Sequence, residues 1–364
     1  MYVSHIELNN FRNYRSGEIT PCAGINVLYG DNAQGKTALL EAVVLSCIGR
    51  SHRTPRDREL IRMGEDFGRV SVTAERRDGS HSVEIVLSAD KHRSIKVNGS
   101  PLKRIGELMG HINGVLFAPE DLRMVKDGPE LRRRFIDMEL SQLYPAYFYA
   151  LQRYSQALKQ RNKLLHDILI NPSLISTLDG WDMQLSQSGE ELIRFRSAFI
   201  KKLAVFAAKN HEEISGGRET LTVAYEPSYS GESLAEALYA ARDNDLRRCT
   251  TTVGPHRDDL MLMLGDMDVR TYGSQGQQRT TALSLKLSEL DIMKDETGEY
   301  PLLMLDDVMS ELDPHRRRQL LGRLKGIQTI VTCTDMSDLA EAEVEAAWKV
   351  TAGTLSQLAV DSEQ

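Results

Sequence analysis

The run Gly30-Asp31-Asn32-Ala33-Gln34-Gly35-Lys36-Thr37 has the residue types and spacing of a phosphate-binding loop. Glycine lets successive backbone N–H groups turn inward at phosphate oxygens, and the helix expected next presents its positive N-terminus to the same place. Lys36 is placed to reach the β- and γ-phosphates of a nucleoside triphosphate, and the Thr37 hydroxyl to ligate magnesium. At the far end of the chain, Tyr300-Pro301-Leu302-Leu303-Met304-Leu305-Asp306-Asp307 reads as an apolar strand ending in two carboxylates. Beside a phosphate loop, Asp306 is expected to hold the magnesium, directly or through water, and Asp307 to polarise an attacking water as general base. A domain's length of sequence separates the two halves. That separation points to ATP coupled to a change of shape or partner.

A third group is Tyr272-Gly273-Ser274-Gln275-Gly276-Gln277-Gln278-Arg279, ahead of a helical pattern over residues 280–287. A Ser/Gly/Gln turn at a helix start is either a second anion cradle of N–H groups and a hydroxyl or a helix cap with no ligand. One chain needs only one γ-phosphate cradle per nucleotide; two make sense in a dimer whose subunits each close the neighbour's site. Arg50-Ser51-His52-Arg53-Thr54-Pro55-Arg56-Asp57-Arg58 carries four arginines against one acid. Three roles stay open for it: contact with DNA backbone phosphates through Arg53, Arg56 and Arg58, sensing of the nucleotide, or a solvated loop. The runs Arg132-Arg133-Arg134 and His315-Arg316-Arg317-Arg318 are expected to be solvated faces. Residues 254–259, which mix Arg257 with two acids, suit an internal salt-bridge network.

These groups need elements to hold them. Residues 24–29 read as the strand feeding the phosphate loop, and residues 37–45 as a helix buried against a sheet. Residues 70–74 and 83–87 alternate apolar and polar around a turn at 77–80, and 94–99 read as another strand and turn. From Gly128-Pro129 to about residue 215 helix formers dominate, broken once at Asn171-Pro172. Leu151, Tyr154, Ala157, Leu158, Leu164, Leu165 and Ile168 form a stripe at helical spacing within it. Residues 221–225 return to strand and 233–248 to helix. With 364 residues and 41% apolar content the chain can build two or three domains with a real core. A net charge of −7 excludes a uniformly basic coat but not a local basic face. No apolar run approaches a membrane span. The absence of a basic and apolar leader and of any C-x-x-C pair among four scattered cysteines predicts a reducing cytoplasm.

Taken as a series, phosphate loop, helical insertion, Ser-x-Gly-Gln turn, two-acid strand and Met309-Ser310-Glu311-Leu312-Asp313 resemble the head of ABC-type ATPases, within them the SMC-like group. Leu8-Asn9-Asn10-Phe11-Arg12-Asn13-Tyr14, Phe117-Ala118-Pro119-Glu120-Asp121-Leu122, residues 254–259 and Gly273-Ser274-Gln275-Gly276-Gln277-Gln278-Arg279 are similar to motifs of the RecF family of bacterial recombination mediators. The likeness runs over nearly the full length. It implies an α/β fold: an ABC-type (SMC-like) P-loop ATPase head of two lobes, residues 1–128 and 247–364, with an inserted α-helical arm domain, 129–246. It implies ATP and Mg2+ as cofactors. Gly30, Asp31, Asn32, Ala33, Gln34, Gly35, Lys36 and Thr37 become the Walker A loop, Arg12 and Asn13 further nucleotide contacts, and Asp306 and Asp307 the Walker B pair. Ser274, Gln275, Gly276 and Gln277 become the signature that reaches the partner's nucleotide, and Asp313 part of a loop across the dimer interface.

The resemblance further implies a weak, DNA-stimulated ATPase acting as a switch, dimeric with ATP. It would bind duplex DNA and single-strand/double-strand junctions at gaps, and act with RecR, RecO and RecA in DNA repair, replication and the SOS response. The implied location is cytoplasmic and nucleoid-associated, with no membrane partner. Two departures stand out. The signature reads Gly-Ser-Gln-Gly-Gln, not Leu-Ser-Gly-Gly-Gln, and the strand near 329–334 ends without a switch histidine, leaving Thr334 as its stand-in and Glu120 as candidate for the magnesium-sensing loop. The main alternative, another SMC-like chromosome or repair ATPase head, predicts a much longer coiled coil. A transporter subunit would carry the switch histidine, and a small-molecule phosphotransferase would not need the Ser274 turn.

Overall fold

The computed structural model describes residues 1–359 apart from Lys91 and Glu232. The chain forms two compact units: residues 1–122 with 283–364, and residues 123–282. The second unit therefore takes in residues 247–282, including Ser274, which the sequence assigned to the head.

Two six-stranded sheets build the first unit. One is antiparallel and begins with Tyr2–Phe11 and Tyr14–Ile19, joined by the two-residue turn Arg12-Asn13. In it Phe67–Arg76 pairs with Gly79–Ser88, and every second residue from Val70 to Ala74 and from Val83 to Leu87 is buried, as the alternation predicts. The other sheet has the order Thr354–Leu358, Val344–Thr351, Ile25–Tyr29, Thr329–Cys333, Leu302–Asp306, Gly114–Phe117. Its last five strands are mutually parallel, and such doubly covered strands read as continuous apolar runs. Thr329–Cys333 lies between the phosphate-loop strand and the two-acid strand.

The helix Lys36–Ile48 packs on strands of both sheets, which is why all of its residues except Thr37 are buried and it has no polar face. Each fully buried Leu or Val on it, such as Leu39, Leu40 and Val43, stabilises the fold by about 1.5–3 kcal/mol.

The second unit holds the helices Pro129–Leu143, Pro145–Ile170, Leu178–Ser215 and Leu234–Arg248 around a three-stranded sheet of Leu221–Glu226, Asp259–Leu264 and Met267–Asp268. The helical stretch breaks twice, not once. Besides Asn171, Tyr144 is extended (φ −132°, ψ 100°), because a residue before proline is pushed out of the helical region. The expected stripe is present, with Tyr154, Ala157, Leu165 and Ile168 buried. Arg161 sits in the same stripe and is fully buried.

Charged residues hold this unit's centre. Arg161 donates to Asp182 (2.6 Å), Asp245 (2.7 Å) and the Thr251 hydroxyl (2.8 Å). Arg196 donates to Asp137 (2.7 Å) and to the Pro255 carbonyl (2.6 Å). Arg132 corrects the expectation of a solvated run: it is 1% exposed, forks onto both oxygens of Asp259 (2.6 and 2.8 Å) and donates to the Met124 and Asp127 carbonyls. Residues 254–259 form the expected internal network. Asp258 accepts from the Tyr225 hydroxyl and the Ser228 N–H. His256 accepts from the Tyr154 hydroxyl at Nδ1 (2.6 Å) and donates from Nε2 to the Thr251 carbonyl (3.0 Å). Those roles require the neutral ring, and burial pushes its pKa down to about 4.

Candidate functional site

The loop Gly30 to Gly35 leaves the C-terminal end of the inner strand Ile25–Tyr29 and enters the helix Lys36–Ile48. Glycine is required at both ends. Gly30 has φ +153°, and a Cβ there would lie 2.4 Å from the Val350 carbonyl oxygen; Gly35 has φ +123°, and a Cβ would lie 2.8 Å from the Asn13 side chain. Lys36 Nζ is buried and donates to the Gly30 and Asp31 carbonyls (2.6 and 3.1 Å), so the ammonium lies within the loop.

The strand Leu302–Asp306 ends beside this loop. Thr37 Oγ1 donates to Asp306 Oδ1 at 3.0 Å, and Thr332 Oγ1 donates to the same oxygen at 2.8 Å. Burial pushes the Asp306 carboxyl above the ordinary carboxylate range, against the pull of those two hydroxyls. Asp307 follows in the left-handed conformation (φ +52°) and lines the same cavity, of about 900 Å3, as Lys36 and Thr37. The expected Walker A and Walker B residues thus come together within one unit.

Arg12 and Asn13 reach the cavity from the hairpin turn of the antiparallel sheet. Arg12 grips both oxygens of the buried Glu41 (2.8 Å each), and its Nη1 donates to the Glu59 carbonyl at 2.7 Å. Burial alone would raise the Glu41 pKa, but the hydrogen bonds from Arg12 and Ser51 and the Arg12 charge outweigh it and hold the carboxyl below its ordinary value. Arg12 is therefore a buttress of the loop helix as well as part of the cavity wall.

Of the basic run, Arg53 and Arg58 line the cavity, while Arg56 points outward and pairs with Glu59 (3.3 Å). Thr334 and Glu120 are both exposed, and neither lines the cavity.

Three contributors escaped the sequence analysis. Glu41 anchors Arg12. Thr332 bridges the acidic pair. The hairpin Val344–Thr351/Thr354–Leu358 clamps the phosphate loop through Gln34, whose Oε1 accepts from Ala352 N–H (2.6 Å) and whose carbonyl accepts from Gly353 N–H (2.9 Å) and Asn13 Nδ2 (2.7 Å). The one available signal was the alternation of Trp348 and Val350 with Lys349 and Thr351, which says strand but not what the strand touches.

In the second unit Ser274 is exposed and precedes the helix Gln275–Thr297. It forms a reciprocal capping box with Gln277: Gln277 Oε1 accepts from the Ser274 N–H (2.8 Å), and Ser274 Oγ accepts from the Gln277 N–H (3.2 Å). A hydroxyl that accepts one bond keeps its own proton to donate outward. Gln277 Nε2 is held by Glu219 (2.7 Å). Asp313 caps the helix Pro314–Arg323, accepting from the His315 and Arg316 N–H groups (3.0 Å each).

Fold and site together define an SMC-like, ABC-type P-loop ATPase head. Residues 2–356 match the family model for the RecF/RecN/SMC N-terminal domain. Within that class the chain belongs to the RecF family. A curated relative from Agathobacter rectalis, DNA replication and repair protein RecF, is 46% identical over 341 residues, with 94% of each chain covered. The solved structure of the recombination mediator protein RecF-ATPrS in the RecFOR pathway is 37% identical, covers 98% of both chains and superposes with a TM-score of 0.92. The Smc head of Pyrococcus furiosus, at 16% identity and a TM-score of 0.59 over 99% of this chain and 96% of that one, shares the fold. Among the described residues no helix is long and apolar enough to cross a membrane.

Proposed function

We propose that this protein is an ATP-driven dimerisation switch that binds DNA and mediates recombination. The observation that carries the reading is the distribution of the parts. One unit gathers Lys36, Thr37 and Asp307 around one cavity, with the buried Asp306 bonded to Thr37, while the Ser274 hydroxyl stands exposed at a helix start in the other unit. In the proposed dimer the Ser274, Gln275, Gly276 and Gln277 turn of each subunit caps the γ-phosphate bound by its partner, with Asp313 in a loop at the same interface. Relatives solved as RecF-ATP and RecF-ATPrS support ATP as the nucleotide.

Magnesium fits the donors present. Thr37 Oγ1 and Asp306 Oδ1 are hard oxygens 3.0 Å apart, and among the described residues no cluster of three or more His, Cys, Asp or Glu competes as a protein-only cage. Mg2+ is commonly held by one or two carboxylates together with substrate phosphates. Bound there, it would neutralise charge on the β- and γ-phosphate oxygens. Lys36 would turn its ammonium from the loop carbonyls to the phosphates. Arg12, Asn13 and the loop N–H groups would orient them, and Asp307 would take a proton from the attacking water. Hydrolysis would be slow and would reset the dimer.

For DNA, the proposal is recognition of duplex backbone at gaps and single-strand/double-strand junctions, with Arg56 and, at the cavity rim, Arg53 and Arg58 as candidate contacts. The family relation makes RecR, RecO and RecA the partners to test, with assistance to RecA loading as the purpose.

Ser274→Arg tests the composite site. ATP affinity is expected to stay within about threefold of wild type, while ATP-driven dimerisation is lost, because a bulky cation replaces a donor in a closed contact. Sedimentation and nucleotide-binding titrations check both halves. A variant that loses ATP binding as well would place Ser274 in its own subunit's site and sink the reading.

A further inference from the structure

We propose that Thr332 is a positioning residue for hydrolysis, holding Asp307 in its working direction; the inference rests on the proposed role of Asp307 as base. The last backbone partners of the two-acid strand and its neighbour are Asp306 and Thr332. At Asp307 the chain turns left-handed, a conformation open to aspartate as a single residue and here held by a local hydrogen bond. The partner is Thr332. Its hydroxyl accepts from the Asp307 N–H at 2.9 Å and donates to Asp306 Oδ1 at 2.8 Å. The side chain is fully buried, so no water replaces that bond.

One hydroxyl therefore ends the strand, satisfies the first peptide group past it and fixes the rotation of the preceding carboxylate. Its own strand lies between the strand that leads into the phosphate loop and the strand that carries the acids, so the acids keep a fixed offset from Lys36. In the reaction the water oxygen bonds to the γ-phosphorus as the γ-phosphorus–oxygen bond to ADP breaks. ADP leaves with that electron pair, and the water proton passes to Asp307. A base displaced by about an ångström loses that geometry, at a cost of up to about a hundredfold in rate.

The test is ATP turnover by Thr332→Val, Thr332→Ser, Asp307→Asn and the double variant Asp307→Asn/Thr332→Val. Thr332→Ala replaces the valine variants if these do not fold. The expected result has four parts: kcat of Thr332→Val down about 10- to 100-fold, KM for ATP within about threefold, turnover near wild type in Thr332→Ser, and no further loss in the double variant beyond Asp307→Asn alone. Wild-type turnover in Thr332→Val with a slow Asp307→Asn overturns the inference and leaves the base intact. A full extra loss in the double variant also overturns it, by routing the effect through Asp306. Wild-type turnover in Asp307→Asn removes the base assignment itself and the inference with it.

Discussion

Lys36→Met is expected to weaken ATP binding about 10²- to 10⁴-fold and to bring ATP turnover to background. Methionine keeps the length of the apolar stem but removes the ammonium. In the present geometry that ammonium bonds the Gly30 and Asp31 carbonyls. With nucleotide it would exchange them for β- and γ-phosphate oxygens. A hydrogen bond to a charged group contributes about 1.5–3 kcal/mol, so losing two of them accounts for the expected range. The loop itself should survive, because Gln34 remains clamped by Ala352, Gly353 and Asn13. Equilibrium titration with a fluorescent ATP analogue measures the loss, and thermal unfolding checks the fold. Near-wild-type binding would show that the loop N–H groups alone carry the affinity.

Arg161→Met should destabilise the second unit by about 3–5 kcal/mol, because it leaves buried carboxylates without their cation. Asp182 keeps Arg242 (2.8 Å), whereas the fully buried Asp245 carboxylate keeps only the Thr252 N–H and hydroxyl among the described residues. Asp245 thus bears most of the penalty. The consequence reaches the loop that binds Arg132 and Arg196, since Thr251 bonds both Arg161 and His256. Replacing Arg161, Asp182 and Asp245 together by apolar residues of similar volume is expected to restore most of the loss, as paired removal does elsewhere. Urea unfolding followed at the second unit measures both. A cost below about 1 kcal/mol, ordinary for an exposed pair, would mean that water reaches the carboxylates.

The chemistry was legible where it is local in sequence. Lys36 and Thr37 follow their glycines directly, so the phosphate loop can be read alone, whereas two acids ending an apolar run take on a magnesium and base role only beside such a loop. What stayed hidden depends on partners far away along the chain. Arg132 sits in a run that looks solvated, and only Asp259 and three carbonyl oxygens explain its burial. Arg161 occupies a stripe position that apolar periodicity skips. Thr332 is one β-branched residue in an ordinary strand; its role comes from sheet order, which periodicity does not encode. The missed break at Tyr144 is different, because Pro145 already announced it. Proline at a first helical position was read as a start at Pro129 but not sixteen residues later, where it also ends the helix before it.

In the proposed switch, ATP completes two shared sites by joining two copies of the chain. Sedimentation of Asp307→Asn, which should bind ATP but hydrolyse it slowly, tests that most directly, without nucleotide, with ATP and magnesium, and with duplex DNA added. The protein is expected to be a monomer without nucleotide and a dimer with ATP, and to co-sediment with duplex DNA only in the ATP state. A monomer at saturating ATP that also ignores DNA would contradict the proposed switch.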